Sequence, residues 1–300
     1  MPKVSIILPA YNVGRYIPEA IRSLQAQTLS DFEVIVINDG SSDNTLVQLK
    51  IIESNDYRIK LVSRTNTGIV GALNEALGYC TGQFIARMDG DDISLPERLQ
   101  RQVSFLEENP SILLVGSAVE FVDSKNRRLK SYIPPCAPDD IMKALLDGNS
   151  GALIHPTVMG RATAWKAIGP YREAFKFVED YDLFLRASAI GPLANIPSPL
   201  LRYRVHAQST NYKRRDIQIR LHHELWANHR KINNLPVSSP PKVRPTDQPS
   251  MASVYLEWAE WAISGNEFKT ALKYASKGLL RKPHSKTALK LFLYALRRSL

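Results

Sequence analysis

Residues 4–12 read VSIILPAYN and residues 32–39 read FEVIVIND: two apolar runs, each closing on polar groups. An unbroken apolar run, rather than an alternating one, is what a parallel strand covered on both faces requires. Between the two, Ile17, Ala20, Ile21 and Leu24 recur at the spacing of one helix face. The alternation continues with helix TLVQLKII (45–52), strand IKLV (59–62), helix GIVGALNEAL (68–77) and strand QFIARM (83–88). This is the β/α rhythm of a Rossmann-like α/β fold, with a mostly parallel central sheet flanked by helices. Ligands of such sheets bind beyond the carboxyl ends of the strands, so the loops after the strands carry the functional reading.

Beyond PERLQRQVSFLEE (96–108), a helix with Pro96 near its first turn, the pattern loosens. SILLVGSAVEFVD (111–123) reads as strand, turn, strand, and the prolines of IPPCAP forbid regular structure there. Residues 139–210 read as short helices and strands. The expected organisation is a large domain over 1–225, a Pro/Ser-rich linker over 226–250 and a basic helical tail over 251–300. Gly265, Phe268, Ala271 and Pro283 give that tail the look of a tetratricopeptide-like helix pair.

The net charge of +10 belongs to the C-terminal part. Residues 1–210 carry 22 Lys and Arg against 23 Asp and Glu, whereas residues 251–300 carry 9 against 3. Such a tail suits an anionic membrane surface or a protein partner, or is a solvated basic face. No nucleic-acid-binding module accompanies it. No apolar stretch reaches membrane-spanning length and the N-terminus does not read as a signal peptide, so the expected location is cytoplasmic, peripheral at the membrane face. Cys80 and Cys136, without metal-ligand spacing, read as free thiols.

Three loops hold the chemistry. PAYN (9–12) and NDGSSDNT (38–45) follow the first two strands, so a flat base can lie against Tyr11 while Asp39 accepts a hydrogen bond from its N–H edge. RMDGDD (87–92) follows the fourth strand and packs Asp89, Asp91 and Asp92 around one glycine. Carboxylates so close repel unless a cation lies between them. A hard divalent ion, Mn²⁺ or Mg²⁺, held jointly with a diphosphate, fits that demand.

The order VSIILPAYN, NDGSSDNT, NTGIVGALNEAL, RMDGDD, HPTVM (155–159), VEDYDLFLR (178–186) and YRVHAQST (203–210) closely resembles the inverting nucleotide-sugar glycosyltransferases of family 2, which have the GT-A fold. The resemblance implies nucleotide recognition by Pro9, Tyr11 and Asp39, ribose contact by Asp89 and cation binding by Asp91. It further implies Asp180 as catalytic base with Glu179 beside it, and a late metal or diphosphate contact by His206. Asn66, Arg87 and Asn74 match positions lining the nucleotide or sugar pocket, and Asp92 is expected in a supporting or helix-capping role. Asn38 stands where many relatives have Asp, and ALN (72–74) lacks an arginine many relatives carry before the Asn.

The expected function is therefore metal-dependent transfer of a sugar from a nucleotide-sugar, a UDP-sugar by preference, to a hydroxyl of a cell-surface glycan or lipid-linked precursor, by single displacement with inversion. A non-catalytic nucleotide-sugar-binding scaffold is the alternative. A dinucleotide-binding dehydrogenase is disfavoured because no GxGxxG follows the first strand. The absence of a QxxRW motif disfavours a processive synthase.

Overall fold

The computed structural model describes residues 1–206, 209, 212, 214–232 and 250–299. They form two compact units: the described residues within 1–119, 133–202 and 221–232, and those within 120–132, 203–220 and 250–299.

The first unit is built on a mixed sheet. Strands β1 (Val4–Ala10), β2 (Phe32–Asp39), β3 (Ile59–Arg64) and β4 (Phe84–Arg87) pair in parallel, in the order β3-β2-β1-β4. All seven residues of β1 and all eight of β2 are buried, as an unbroken apolar run demands. Helices α1 (Ile17–Gln25), α2 (Thr45–Asn55) and α3 (Ile69–Tyr79) make the crossovers. Past β4 the sheet turns antiparallel through β8 (Met159–Arg161), then β6 (Leu114–Asp123), β9 (Leu193–Val205) and the short β5 (Ile93–Ser94). Helices α4 (Arg98–Glu108), α5 (Pro138–Leu146), α6 (Ala162–Ile168) and α7 (Glu179–Ile190) complete the layers, and α8 (Arg215–Ile232) contributes Leu225 and Trp226 to the core.

Two expectations change in this unit. Residues 114–123 are one strand, not strand, turn, strand. Gly116 does not turn the chain there; it leaves room for the Asn195 side chain, which a Cβ would strike. The reversal comes instead at 124–127, leading to β7 (Arg128–Tyr132), which pairs with β6. Second, the expected boundary at residue 225 falls inside α8, so residues 226–232 are helical; the remainder of the expected linker, 233–249, lies outside the described residues.

One buried carboxylate secures the parallel strands. Glu33 on β2 accepts from Ser5 Oγ (2.6 Å), Thr81 Oγ1 (2.7 Å), Thr81 N–H (2.9 Å) and Lys60 Nζ (2.5 Å). Burial would raise its pKa, but these donors outweigh burial and hold it at about 2. A carboxyl depressed in the folded state stabilises above its unfolded pKa near 4.5, and that contribution is lost as pH falls from there towards 2. Glu33→Gln is therefore expected to cost about 2 kcal/mol at pH 7 and almost nothing at pH 2. Urea melts across that range check this; an equal cost at both ends would refute the ionic account.

The second unit has its own core. Helices α9 (Met251–Ser264), α10 (Phe268–Arg281) and α11 (Lys286–Ser299) gather Trp258, Ala271, Tyr274 and Ala295 around Leu129 of β7. At its centre the buried Asp123 accepts from Tyr274 Oη (2.6 Å), Arg127 Nε (2.7 Å) and Lys125 N–H (2.7 Å). The tail thus holds three helices rather than the expected pair.

Candidate active site

The register places the ends of β2, β1 and β4 side by side: Ala10 faces Asn38, and Ile7 faces Arg87. Asp39, Tyr11 and Asp89 thereby open onto one edge of the sheet. The loops after β1 and β2 are tied together, because Asn12 Oδ1 accepts from Ser42 N–H (2.8 Å) and Val13 N–H donates to Thr45 Oγ1 (2.9 Å). Tyr11, 53% exposed, stands on this laced edge as a free ring face.

Asp39 is almost wholly buried. Its Oδ1 accepts from Thr67 N–H (2.9 Å) and from Arg64 (3.0 Å), and its Oδ2 from Gly68 N–H (2.8 Å), while its carbonyl accepts from Asn66 Nδ2 (2.8 Å). The carboxylate thus folds the loop 65–68 against the end of β2. Since each carboxylate oxygen offers two lone pairs, Oδ2 retains one acceptor direction. Gly68, at φ +91°, begins α3, and Lys176 crosses it with Nζ 2.5 Å from the place of a Cβ. Lys176 therefore spans from the segment ahead of α7 to the loop that Asp39 organises.

At the end of β4, Arg87 is buried and forks onto Asp89, with Nη1 2.7 Å from Oδ2 and Nη2 2.6 Å from Oδ1. Gly90 serves closeness rather than bending: a Cβ there would lie 3.1 Å from Val13 Cγ2 and 3.2 Å from Ile17 Cδ1. Asp92 is buried, and its charge acts on Arg98 and Arg87. Arg98 itself, fully buried, donates to the Arg87 carbonyl (2.6 Å) and to Gln102 (3.1 Å), and burial pulls its pKa down to about 9. Asp92 therefore acts as a counter-charge to a buried arginine.

Helix α7 delivers Glu179 and Asp180 into the same field. Burial raises the Asp180 pKa against its own hydrogen bond from Tyr181 N–H and the pull of Arg87. Burial likewise raises Asp89, opposed by Arg87 and reinforced by the charges of Asp91 and Asp180. Glu179 is pushed up to about 7, by burial first and by Asp180 second. Its Oε2 is buried without a hydrogen-bond partner among the described residues. Just before it, Phe177 is held at φ +78°, a conformation costly for a non-glycine residue. The next acid, Asp182, differs: it is buried and bound by Arg172 and Arg186, a structural anchor within α7.

Sequence reasoning missed the support for this cluster. Tyr171 Oη lies 2.8 Å from His155 Nε2, both are buried, and Tyr171 feels the charges of Arg87, Glu179 and Asp180. Asn74 clamps Tyr171: its Nδ2 donates to the Tyr171 carbonyl (2.9 Å) and its Oδ1 accepts from the Tyr171 N–H (2.8 Å). Its amide is thus spent on the backbone of a neighbour of the cluster. The motif HPTVM signals His155, but nothing in sequence signals a partner for it at Tyr171. His206 follows β9 in the second unit, where its carbonyl accepts from Ser209 N–H (3.0 Å) and Oγ (2.8 Å).

Asp89 and Asp91 are hard oxygen donors of the kind a divalent ion shares with a ligand, but among the described residues no three His, Cys, Asp or Glu side chains gather closely enough to hold a metal by themselves. Asp91, on the loop beyond β4, is partly buried, as are Asp89 and Asp180.

A parallel half-sheet with acidic strand ends, extended by antiparallel strands, is the GT-A type of glycosyltransferase fold. The chain belongs to glycosyl transferase family 2, whose pattern matches residues 5–168. It is 37% identical over 222 residues to an uncharacterized glycosyltransferase of Haemophilus influenzae, covering 70% of this chain and 68% of that protein. It is 33% identical to the amylovoran biosynthesis glycosyltransferase AmsE of Erwinia amylovora, covering 70% and 79%. Its fold matches that of Staphylococcus aureus TarS 1–349 in complex with UDP-GlcNAc (TM-score 0.58, 18% identity, 98% of this chain and 90% of that one). It also matches the mannosyltransferase PcManGT of Pyrobaculum calidifontis in complex with GDP-Man and Mn²⁺ (TM-score 0.56, 17% identity, 99% and 80%).

Proposed function

We propose that the protein transfers a sugar from a UDP-sugar to a hydroxyl of a cell-surface polysaccharide or its lipid-linked precursor, with inversion and with a divalent cation. The observation that carries this reading is the meeting of Asp89 and Asp180 in one electrostatic field, although 91 positions of sequence separate them. The relative named for amylovoran biosynthesis supports a polysaccharide acceptor, and the neighbours bound to UDP-GlcNAc and to GDP-Man with Mn²⁺ support a nucleotide-sugar donor and a metal.

In this reading the base stacks on Tyr11 beside Pro9, and its N–H edge uses the remaining acceptor direction of Asp39 Oδ2, with Asn66 shaping the loop. Asp89, fixed by the Arg87 fork, accepts from the ribose hydroxyls. Asp91 holds the cation, with His206 as a later contact; when bound, that ion neutralises charge developing on the departing diphosphate. Asp180, whose raised pKa makes it a stronger base than an ordinary carboxylate, takes the proton of the attacking hydroxyl. Glu179, pushed up to about 7 by burial and by Asp180, stands beside it, and Asn74 fixes the backbone of Tyr171, which feels both charges. The reaction takes place in the cytoplasm or at the cytoplasmic membrane face. Among the described residues no helix is long and apolar enough to cross a membrane.

A thermal-shift screen of nucleotide-sugars with and without Mn²⁺ tests the proposal. One UDP-sugar is expected to raise Tm by about 5 °C or more at one hundred times its Kd, with metal present. Stabilisation of equal size after chelation would remove the metal from the account, and stabilisation by no nucleotide-sugar would remove the donor.

A further inference from the structure

The second unit carries an outward face that its own core does not explain. Residues 268–300 hold nine Lys and Arg and no Asp or Glu. Some of these cations are engaged within the unit, Lys277 and Arg281 over the Tyr255 ring and Arg298 over Phe268. Others are not so spent. Helix α11 turns Ala288 and Ala295 inward, both fully buried, with Leu291 and Phe292 partly buried against the core. Its opposite side presents Lys286, Lys290, Leu293 and Arg297 in one row, at helical positions i, i+4, i+7 and i+11.

Leu289 and Leu293 on that side are 47% and 44% exposed, and Leu280 near the end of α10 is 79% exposed. A basic face made only for solubility would carry polar residues at these positions. An acidic protein would satisfy the cations and leave the leucines without a purpose. An anionic bilayer satisfies both, because leucines enter the acyl boundary while ammonium and guanidinium groups meet the headgroups.

We propose that the outward face of α11 docks on the anionic surface of a lipid bilayer. The inference concerns the second unit alone and does not depend on the transferase reading of the first. The test is co-sedimentation of the full chain with phosphatidylcholine vesicles, plain or with roughly a third phosphatidylglycerol, at low and physiological salt. The chain is expected on the anionic vesicles and at least about tenfold less on the neutral ones. Lys286→Gln with Lys290→Gln should weaken partitioning roughly thirtyfold, at about one kcal/mol per cation. Leu289→Glu with Leu293→Glu should weaken it at least as much even at low salt.

All four positions are exposed, so unchanged helix content and Tm are expected and verify that the variants fold. Equal binding to neutral and anionic vesicles would overturn the proposal. So would the absence of vesicle binding, or an oligomer in solution that the leucine pair disperses, which would assign the face to a second copy. UDP-sugar stabilisation, measured on the same variants, should not change, which separates a failure here from a failure of the donor site.

Discussion

Asp180→Asn is expected to lower kcat by about 10²–10⁴-fold while leaving the Kd for the donor within about twofold of wild type. The substitution keeps the shape of the side chain and the hydrogen bond that its Oδ1 accepts from Tyr181 N–H, so α7 should begin as before. What it removes is the basic oxygen. Glu179 is a poor substitute, since its carboxylate is bound by the Phe177 N–H and held by a strained turn. The drop should appear at saturating donor and acceptor, and isothermal titration with the UDP-sugar should be unaffected. A variant that retains turnover would move the base to another residue; one that loses donor binding as well would make Asp180 part of the donor site.

The second large effect is expected at Arg87. Its guanidinium is buried, forks onto Asp89 and pulls down the pKa values of Asp89, Glu179 and Asp180 together. Arg87→Met fills the space but leaves several carboxylates facing one another without that cation. Breaking a buried pair from one side typically costs about 3–5 kcal/mol; the Asp89 side chain is 28% accessible, so about 3 kcal/mol is expected here. Donor affinity should fall as well, since Asp89 loses the fork that aims it. Arg87→Lys keeps the charge without the planar fork and should fall between the two. Chemical denaturation near pH 7 gives the answer: a loss below about 0.5 kcal/mol for Arg87→Met would mean that the cluster does not depend on this cation.

How much of this was readable beforehand follows from the distances over which sequence signals act. The parallel half of the sheet was legible because β1 and β2 are buried on both faces and therefore read as unbroken apolar runs. The loops at the strand ends were legible for the same reason, since polar residues there interrupt an otherwise apolar pattern. Arg87 and Asp89 stand two residues apart at a strand end, on one side of the chain, and their pairing follows from that spacing.

The strand 114–123 was misread because Gly116 carries the look of a turn, and the reason for a glycine there is an asparagine at position 195 that local pattern cannot reveal. Asn74 and Tyr171 lock together over 97 positions, and Lys176 meets Gly68 over more than a hundred. Such contacts have no periodicity to betray them. Arg98 was hidden differently: in a helix of mixed polarity it reads as a solvated charge, yet it is fully buried between the Arg87 carbonyl and Gln102. The tail is the converse, for its charge was plain in sequence while its exposed leucines became apparent only once α11 had an inward side.

Single displacement at the anomeric carbon, assisted by Asp180, can be tested without knowing the acceptor, since water can replace it. With an α-linked UDP-sugar carrying ¹³C at the anomeric carbon and Mn²⁺ present, the first sugar released by the wild-type protein should be observed by NMR before mutarotation. The β anomer is expected, with release at least about 10²-fold slower in Asp180→Asn. Release of the α anomer would contradict it.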